Sequence, residues 1–192
     1  MTNPAAILVP GMARVWLAPV GTTAPADPVT DMPDGWLDVG YFDPASLQWQ
    51  TSPSFQTVTS HQSAYPTRRF VDSDAATVTC NLQEWNAINL QTVYGGGEIT
   101  TMHGTAPEPT TWYKYEPPAI TDRTQTACCI EIIDGSKHYR QIIPITEQDS
   151  GATVSYHRTA ESTLPLSLAV IGTDVGDPWY SLSDDPAMAP VS

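Results

Sequence analysis

A single stretch of this 192-residue chain, Glu84 to Tyr94, carries apolar residues at helical spacing, and Gly95-Gly96-Gly97 stops it at once. The other patterned segments are short and alternate with a period of two, and 18 prolines punctuate the chain between and around them. Proline fixes φ and lacks an N–H, so these interruptions hold the connections extended. A chain with this pattern folds as many short strands with one helix. Composition agrees, since only 15% of residues are charged and Thr, Ser and Pro are abundant.

Thr77-Val78-Thr79-Cys80-Asn81-Leu82 is the clearest strand, with Val78, Cys80 and Leu82 on one face. Further strands read over Ala13–Ala18, Trp36–Tyr41, Ser46–Gln50, Thr111–Tyr115, Ala127–Ile133, His138–Ile145, Thr153–His157 and Leu164–Val170. Asp134-Gly135-Ser136-Lys137 is a hairpin turn between two of them. On the helix, Leu82, Trp85, Asn89 and Val93 fall near one stripe and Ile88 flanks it, so Trp85, Ile88 and Val93 are expected to pack it onto the sheets. About nine strands and one helix in one domain predict a mainly β fold, a β-sandwich or partial barrel with a flanking α-helix. The domain is expected over residues 13–171, between a proline-bracketed apolar arm at 1–12 and an acidic arm at 172–192 containing Asp174, Asp177, Asp184 and Asp185.

Residues 51–74 depart from the pattern. They alternate Thr, Ser and Gln with isolated apolar residues (Phe55, Val58, Tyr65, Phe70) and offer almost no aliphatic face. Strands without a buried face need another surface to order them. This stretch and the run Ile7-Leu8-Val9 are therefore expected to pack outside their own core.

Charge excludes several functions. Eight Lys and Arg against 21 Asp and Glu give a net charge of −13, and the only adjacent cations are Arg68-Arg69. Binding nucleic acid by attraction needs clustered cations and is excluded. The first residues lack a basic region, and Pro10 cuts their apolar run short, so a signal peptide and a membrane span are not expected. Cys80, Cys128 and Cys129 are odd in number with two adjacent, which reads as buried reduced thiols in a chain folded in the cytosol that makes it.

No catalytic constellation emerges. His61, His103, His138 and His157 are scattered without metal-ligand spacing. Gly95-Gly96-Gly97 follows a helix, whereas phosphate-cradling glycines precede one. Glu84 and Glu98 flank the helix, the one arrangement a carboxylate-pair hydrolase would use. Trp16, Trp36, Trp49, Trp112 and Trp179 admit a sugar-stacking alternative, although scattered tryptophans are more often core or interface. The residues specify no enzyme, cofactor or metal.

Taken in order, Trp36–Tyr41, the polar excursion ending Tyr65-Pro66-Thr67-Arg68-Arg69, Thr77–Asn86 and the helix closed by three glycines resemble the major tail tube protein of long-tailed bacteriophages, particularly those infecting actinobacteria. Tyr139-Arg140 before Ile142-Ile143-Pro144, and Leu164–Leu168 before a Gly/Asp/Pro tail, extend the likeness over roughly residues 13–186. One departure is Asp43-Pro44-Ala45-Ser46, where the family usually has a glycine-containing turn. The resemblance implies hexameric rings stacked head to tail into a hollow virion tail tube, synthesised and assembled in the host bacterial cytoplasm. Its implied partners are further copies of itself, a tape measure protein in the lumen during assembly, and tail terminator and tail-tip proteins. DNA would pass through without specific binding. The alternative within the virion is a tail terminator, head–tail connector or decoration protein.

On this reading Phe55, Val58, Tyr65, Arg68, Arg69 and Phe70, with Ile7, Leu8 and Val9, make contacts between rings. Arg68 and Arg69 would meet acids of a neighbour, such as its Asp-rich tail. Six copies at −13 each carry about −78 per ring, and a negative wall lets phosphates slide without sticking. Glu131, opposite the core face of its strand, and Asp122, Glu147 and Asp149 are the candidate lumen acids.

Overall fold

The computed structural model describes residues 4–104, 110–173 and 176–190, so Asp174 lies outside the described residues. In chain order the strands of the first half are β1 (Met12–Pro19), β2 (Leu37–Asp38), β3 (Gln48–Thr51), β4 (Ser54–Val58), β5 (Arg68–Ser73) and β6 (Ala76–Leu82). Helix α1 (Ala87–Val93) follows, then β7 (Glu98–His103), β8 (Thr111–Glu116), β9 (Thr126–Asp134), β10 (Lys137–Gln148), β11 (Leu164–Val170) and β12 (Tyr180–Ser183).

The main sheet is antiparallel, runs β2-β1-β9-β10-β11-β6-β3 and does not close. It folds over at β10. The register of β10 against β9 shifts between Ile143 and Thr146, across Pro144, which cannot donate to a ladder. Before the shift, Tyr139–Ile142 pair with β12; beyond it, Thr146–Gln148 pair with β11. One strand thus serves two layers. The core between them joins Val15, Leu17, Cys128, Ile130 and Ile143 to Val78, Cys80, Leu82, Leu164, Leu166 and Leu168. The strict alternation of β6 and β11 is what presents these faces. Burial raises all three thiols, those of Cys80 and Cys129 to about 12, so they are neutral and unreactive.

The helix is shorter than its sequence period, because Asn86 caps it by accepting from Asn89 N at 2.9 Å. Asn89 Nδ2 in turn donates to the carbonyls of Val39 and Glu84, tying the helix to the segment after β2. Val93 is buried and Ile88 half-buried against the core, but Trp85 is not helix packing. It lies before the cap, 42% exposed, beside Tyr156, and its indole donates to Ser162 O.

Two expectations are changed by which strand edges are free. Residues 153–157 form no strand, since both edges of β11 are taken by β6 and β10; Ala152 and Val154 only pack against the core. The acidic tail is no free arm over residues 180–185. β12 pairs with β10, Asp184 Oδ2 meets His138 Nδ1 at 2.9 Å, and Lys137 Nζ reaches Asp185 Oδ2 at 2.9 Å. Asp43 supplies the turn where a glycine was expected, its Oδ1 accepting from Ala45 N and its carbonyl from Ser46 N.

Candidate assembly surfaces

The 51–74 excursion is a hairpin. β3 pairs with β6 through Thr51↔Ala76, Ser52 N donates to Ala75 O, and the same ribbon continues outward as β4 against β5. Where β3 and β6 end, the ribbon leaves the sandwich: every residue of β4 and β5 is exposed, on both faces. Phe55, Val58, Tyr65 and Phe70 therefore stand in water in the single chain. Arg69 lies over the Phe55 ring, 3.9 Å from its centroid, which holds the aromatic and the cation as one unit. Neither Arg68 nor Arg69 meets a carboxylate among the described residues, whereas Arg14, Lys114, Lys137 and Arg140 each do.

A second hairpin, β7 with β8, is a two-stranded sheet of its own, half-buried at Ile99, Thr100 and Tyr115 and otherwise exposed, and the sequence shows only its second strand. Met102 faces Trp112 across it, and Trp112 and Tyr113 are exposed. The missed signal was there: from Glu98 to Glu116 the aliphatic content is nearly as sparse as in residues 51–74.

The N-terminal arm is fastened at its root. Gly11 N donates to Ile133 O and Val9 N to Asp134 Oδ2, both at 3.0 Å. Beyond that root Ile7, Leu8 and Val9 are 65%, 42% and 62% exposed. Two exposed hairpins and an uncharged apolar arm are the kind of surface that marks contact with another protein surface.

A family model described as phage tail tube protein matches residues 1–192. The chain belongs to the phage tail tube protein family. It is a structural component of the virion tail, and family membership means self-assembly into a tube together with other tail proteins. Comparison with curated proteins gives no significant match. Among the described residues no helix is long and apolar enough to cross a membrane.

The candidate lumen acids do not sit together in the tail tube protein. Glu131 is the clear departure: it is buried, its Oε1 receives Arg140 Nη2 at 2.6 Å and Nε at 2.9 Å, and Trp16 Nε1 donates to its Oε2 at 3.3 Å. Arg140 Nη1 also binds the carbonyl of Asp27, so the loop over residues 20–35 roofs the pair. Residue 131 does face away from the main core, but that face has a second core of its own, with Trp36, Cys129 and Ile142. Glu131 is an internal ion-pair partner instead of a wall acid. Asp122, Glu147 and Asp149 lie at the other end of β9 and β10, five residues or about 17 Å along the strands. Asp122 and Asp149 are exposed; Glu147 is half-buried and accepts from Gln125.

Of the tail acids expected as partners for Arg68 and Arg69, Asp184 and Asp185 are engaged within the tail tube protein itself, while Asp177 is exposed. Tyr139 hydroxyl, the Ala187 N–H and Lys137 hold the Asp185 carboxyl down to about 2. The His138 backbone and ring hold Asp184 below the usual range. Of the five tryptophans considered for sugar stacking, Trp36 is buried with its indole on Thr23 O, Trp16 serves Glu131, Trp49 packs edge-on against Trp179 at 5.3 Å, and Trp112 is exposed on the second hairpin. Glu84 is bound to the backbone N–H of Tyr41, and Glu98 stands opposite Glu116 at the base of the second hairpin. Among the described residues no group of three His, Cys, Asp or Glu side chains is placed to hold a metal.

Proposed function

We propose that this tail tube protein assembles as hexameric rings stacked into a tube through which the phage genome is delivered. The observation that carries the reading is the β4–β5 hairpin, which leaves the sandwich with both faces exposed and with Phe55, Val58, Tyr65, Arg68, Arg69 and Phe70 unburied. A rigid ribbon of this kind bridges one ring to the next, and the arm at Ile7–Val9 adds a second contact between copies. A head-to-tail interface that does not close onto itself gives a filament. With Asp184 and Asp185 engaged, Arg68 and Arg69 find their carboxylates on the neighbouring ring among acids left exposed, such as Asp177.

The net charge of −13 per copy favours a negative channel wall, with Asp122, Glu147 and Asp149 as its candidate acids. Such a wall repels phosphates and keeps the genome from binding on its way. A tape measure protein occupies the lumen during assembly, and terminator and tail-tip proteins cap the two ends. Negative-stain electron microscopy of the purified chain over a concentration series tests the reading. Hollow tubes or stacked six-fold rings are expected; discrete rings that never stack overturn it in favour of a terminator or connector.

A further inference from the structure

Hairpin β7–β8 turns one face to its own chain and leaves the other open. Cross-strand partners share a face, so Ile99 and Tyr115 lie on one side, and Glu98 with Glu116, Thr100 with Lys114 and Met102 with Trp112 lie on the other. The first side is anchored: the Tyr115 hydroxyl donates to Gly96 O, and its ring lies 5.8 Å from that of Tyr94. On the second side Met102 and Trp112 are exposed towards the far end of the hairpin, and two carboxylates face each other at its root. Like charges directly opposite one another destabilise a ladder. Lys114 Nζ answers Glu116 at 2.8 Å, whereas Glu98 meets no cation among the described residues. The open face thus lacks one positive charge and a cover for one apolar pair.

We propose that this face receives the β4–β5 hairpin of a second copy of the chain, with Arg68 of one copy against Glu98 of the next. The inference rests on the bridging role given above to that hairpin and names the surface it meets. On β4–β5 the register sets Gln56, Val58, Arg68 and Phe70 on one face, and all four are exposed. Arg68 is the cation of that face and meets no carboxylate among the described residues, while Arg69, on the opposite face, is already laid over Phe55. The order of groups along the two ribbons is complementary. Arg68 lies towards the far end of its hairpin with Phe70 nearer the root; Glu98 lies at the root of its own with Met102 and Trp112 nearer the far end. Laid far end to root, the ribbons set cation on acid and ring on apolar pair; the reverse alignment leaves Glu98 unanswered. Arg68 stands two residues, about 7 Å, from Phe70, and Glu98 four residues, about 14 Å, from Met102, a difference that an extended arginine side chain spans. The uncharged arm at Ile7–Val9 could cover Met102 and Trp112 but brings nothing to Glu98. The exposed Asp177 stands in a loop, whereas Glu98 is fixed on a ladder beside the apolar pair that Phe70 matches.

Arg68→Glu, Glu98→Arg and the double charge swap are compared at low salt by light scattering and electron microscopy, with urea unfolding of each dilute subunit as the folding control. Both residues are exposed, and Glu98→Arg removes a like-charge pair, so these subunits should unfold no more easily than the native chain. Each single variant is expected to raise the critical concentration for assembly several-fold, and the swap to return it towards the native value. Single variants that impair assembly without rescue by the swap overturn the pairing and leave the bridging hairpin standing; a silent Glu98→Arg does the same. In a second measurement Val58→Cys and Met102→Cys are placed in different copies, one carrying a size tag, which are mixed and oxidised; the three native thiols are buried. A tagged–untagged disulfide dimer that is lost when either cysteine is omitted is expected. Tubes without that dimer overturn the docking but not the tube. An intrachain disulfide in a chain carrying both cysteines at high dilution shows the two hairpins folded on each other and also overturns it. A native chain that forms no assembly across the concentration series overturns both readings.

Discussion

Arg140 and Glu131 form a buried ion pair, Nη2 to Oε1 at 2.6 Å, with side chains only 4% and 6% exposed. They face each other across β9 and β10, and the loop carrying Asp27 closes over them. Removing one partner leaves the other charged without compensation. Glu131→Ala is expected to destabilise the isolated subunit by about 3–5 kcal/mol. Urea unfolding of the monomer measures this. A wall acid facing a channel would leave monomer stability unchanged, so the experiment separates the two roles of the residue.

The Asp185 carboxyl is held near 2, first by the Tyr139 hydroxyl, then by the Ala187 N–H and Lys137. A folded-state value below the ordinary 3.8 means this contribution is present above about pH 4 and is lost as pH falls towards 2. Tyr139 has the opposite sign. Its hydroxyl is raised to about 12, chiefly by the same hydrogen bond, so its contribution is present below pH 10 and is lost as pH rises towards 12. The β12 segment is thus expected to loosen at both extremes. Trp179 fluorescence, which senses its packing on Trp49, should report both transitions, and Asp185→Asn should remove the acid one.

Phe55→Ala removes an aromatic ring that supports Arg69 and little else in the subunit. Exposed cation–π contacts are worth about 0.5–1 kcal/mol, so the melting temperature is expected to move only slightly. Tube formation should fall sharply, with an increased critical concentration in light scattering. Arg68→Glu should act in the same direction and should be more severe at low salt than at high salt. Unchanged assembly in both variants would remove the hairpin from the interface.

Gly97 joins α1 to β7 with φ +102, and a Cβ there would lie 2.4 Å from Glu116 O. A backbone carbonyl fixed in the β7–β8 ladder cannot yield cheaply. Gly97→Ala is expected to cost about 1–3 kcal/mol and to disorder the second hairpin. Gly135, at φ +62 in the β9–β10 turn, has open space around it. Gly135→Ala should therefore cost only the conformational penalty of about 1–2 kcal/mol. Comparing the two by thermal denaturation isolates the steric part.

Much of the fold was legible because its signals are local. The alternation of Val78, Cys80 and Leu82, and of Leu164, Leu166 and Leu168, locates strands whose inner faces are the observed core. The hairpin at residues 51–74 showed itself by lacking an apolar face. Trp85 was misplaced because its stripe position holds only if the helix begins before it, and the Asn86 cap starts the helix after it. Strand β7 escapes the sequence pattern because its half-buried residues, Ile99 and Thr100, are adjacent and do not alternate, and its ladder is made with β8.

Period, turn residues and breakers act within a few positions, and they settle where strands, turns and the helix fall, whatever lies elsewhere in the chain. The fate of a charge obeys no such rule. Glu131 alternates out of the main core as its pattern requires, yet it is buried, because Arg140 stands nine residues on and the loop at Asp27 arrives from 113 residues away to cover them. The tail is likewise drawn onto β10 by Lys137, His138 and Tyr139. Desolvation and its compensation depend on which distant groups converge, and only the folded chain brings those groups together.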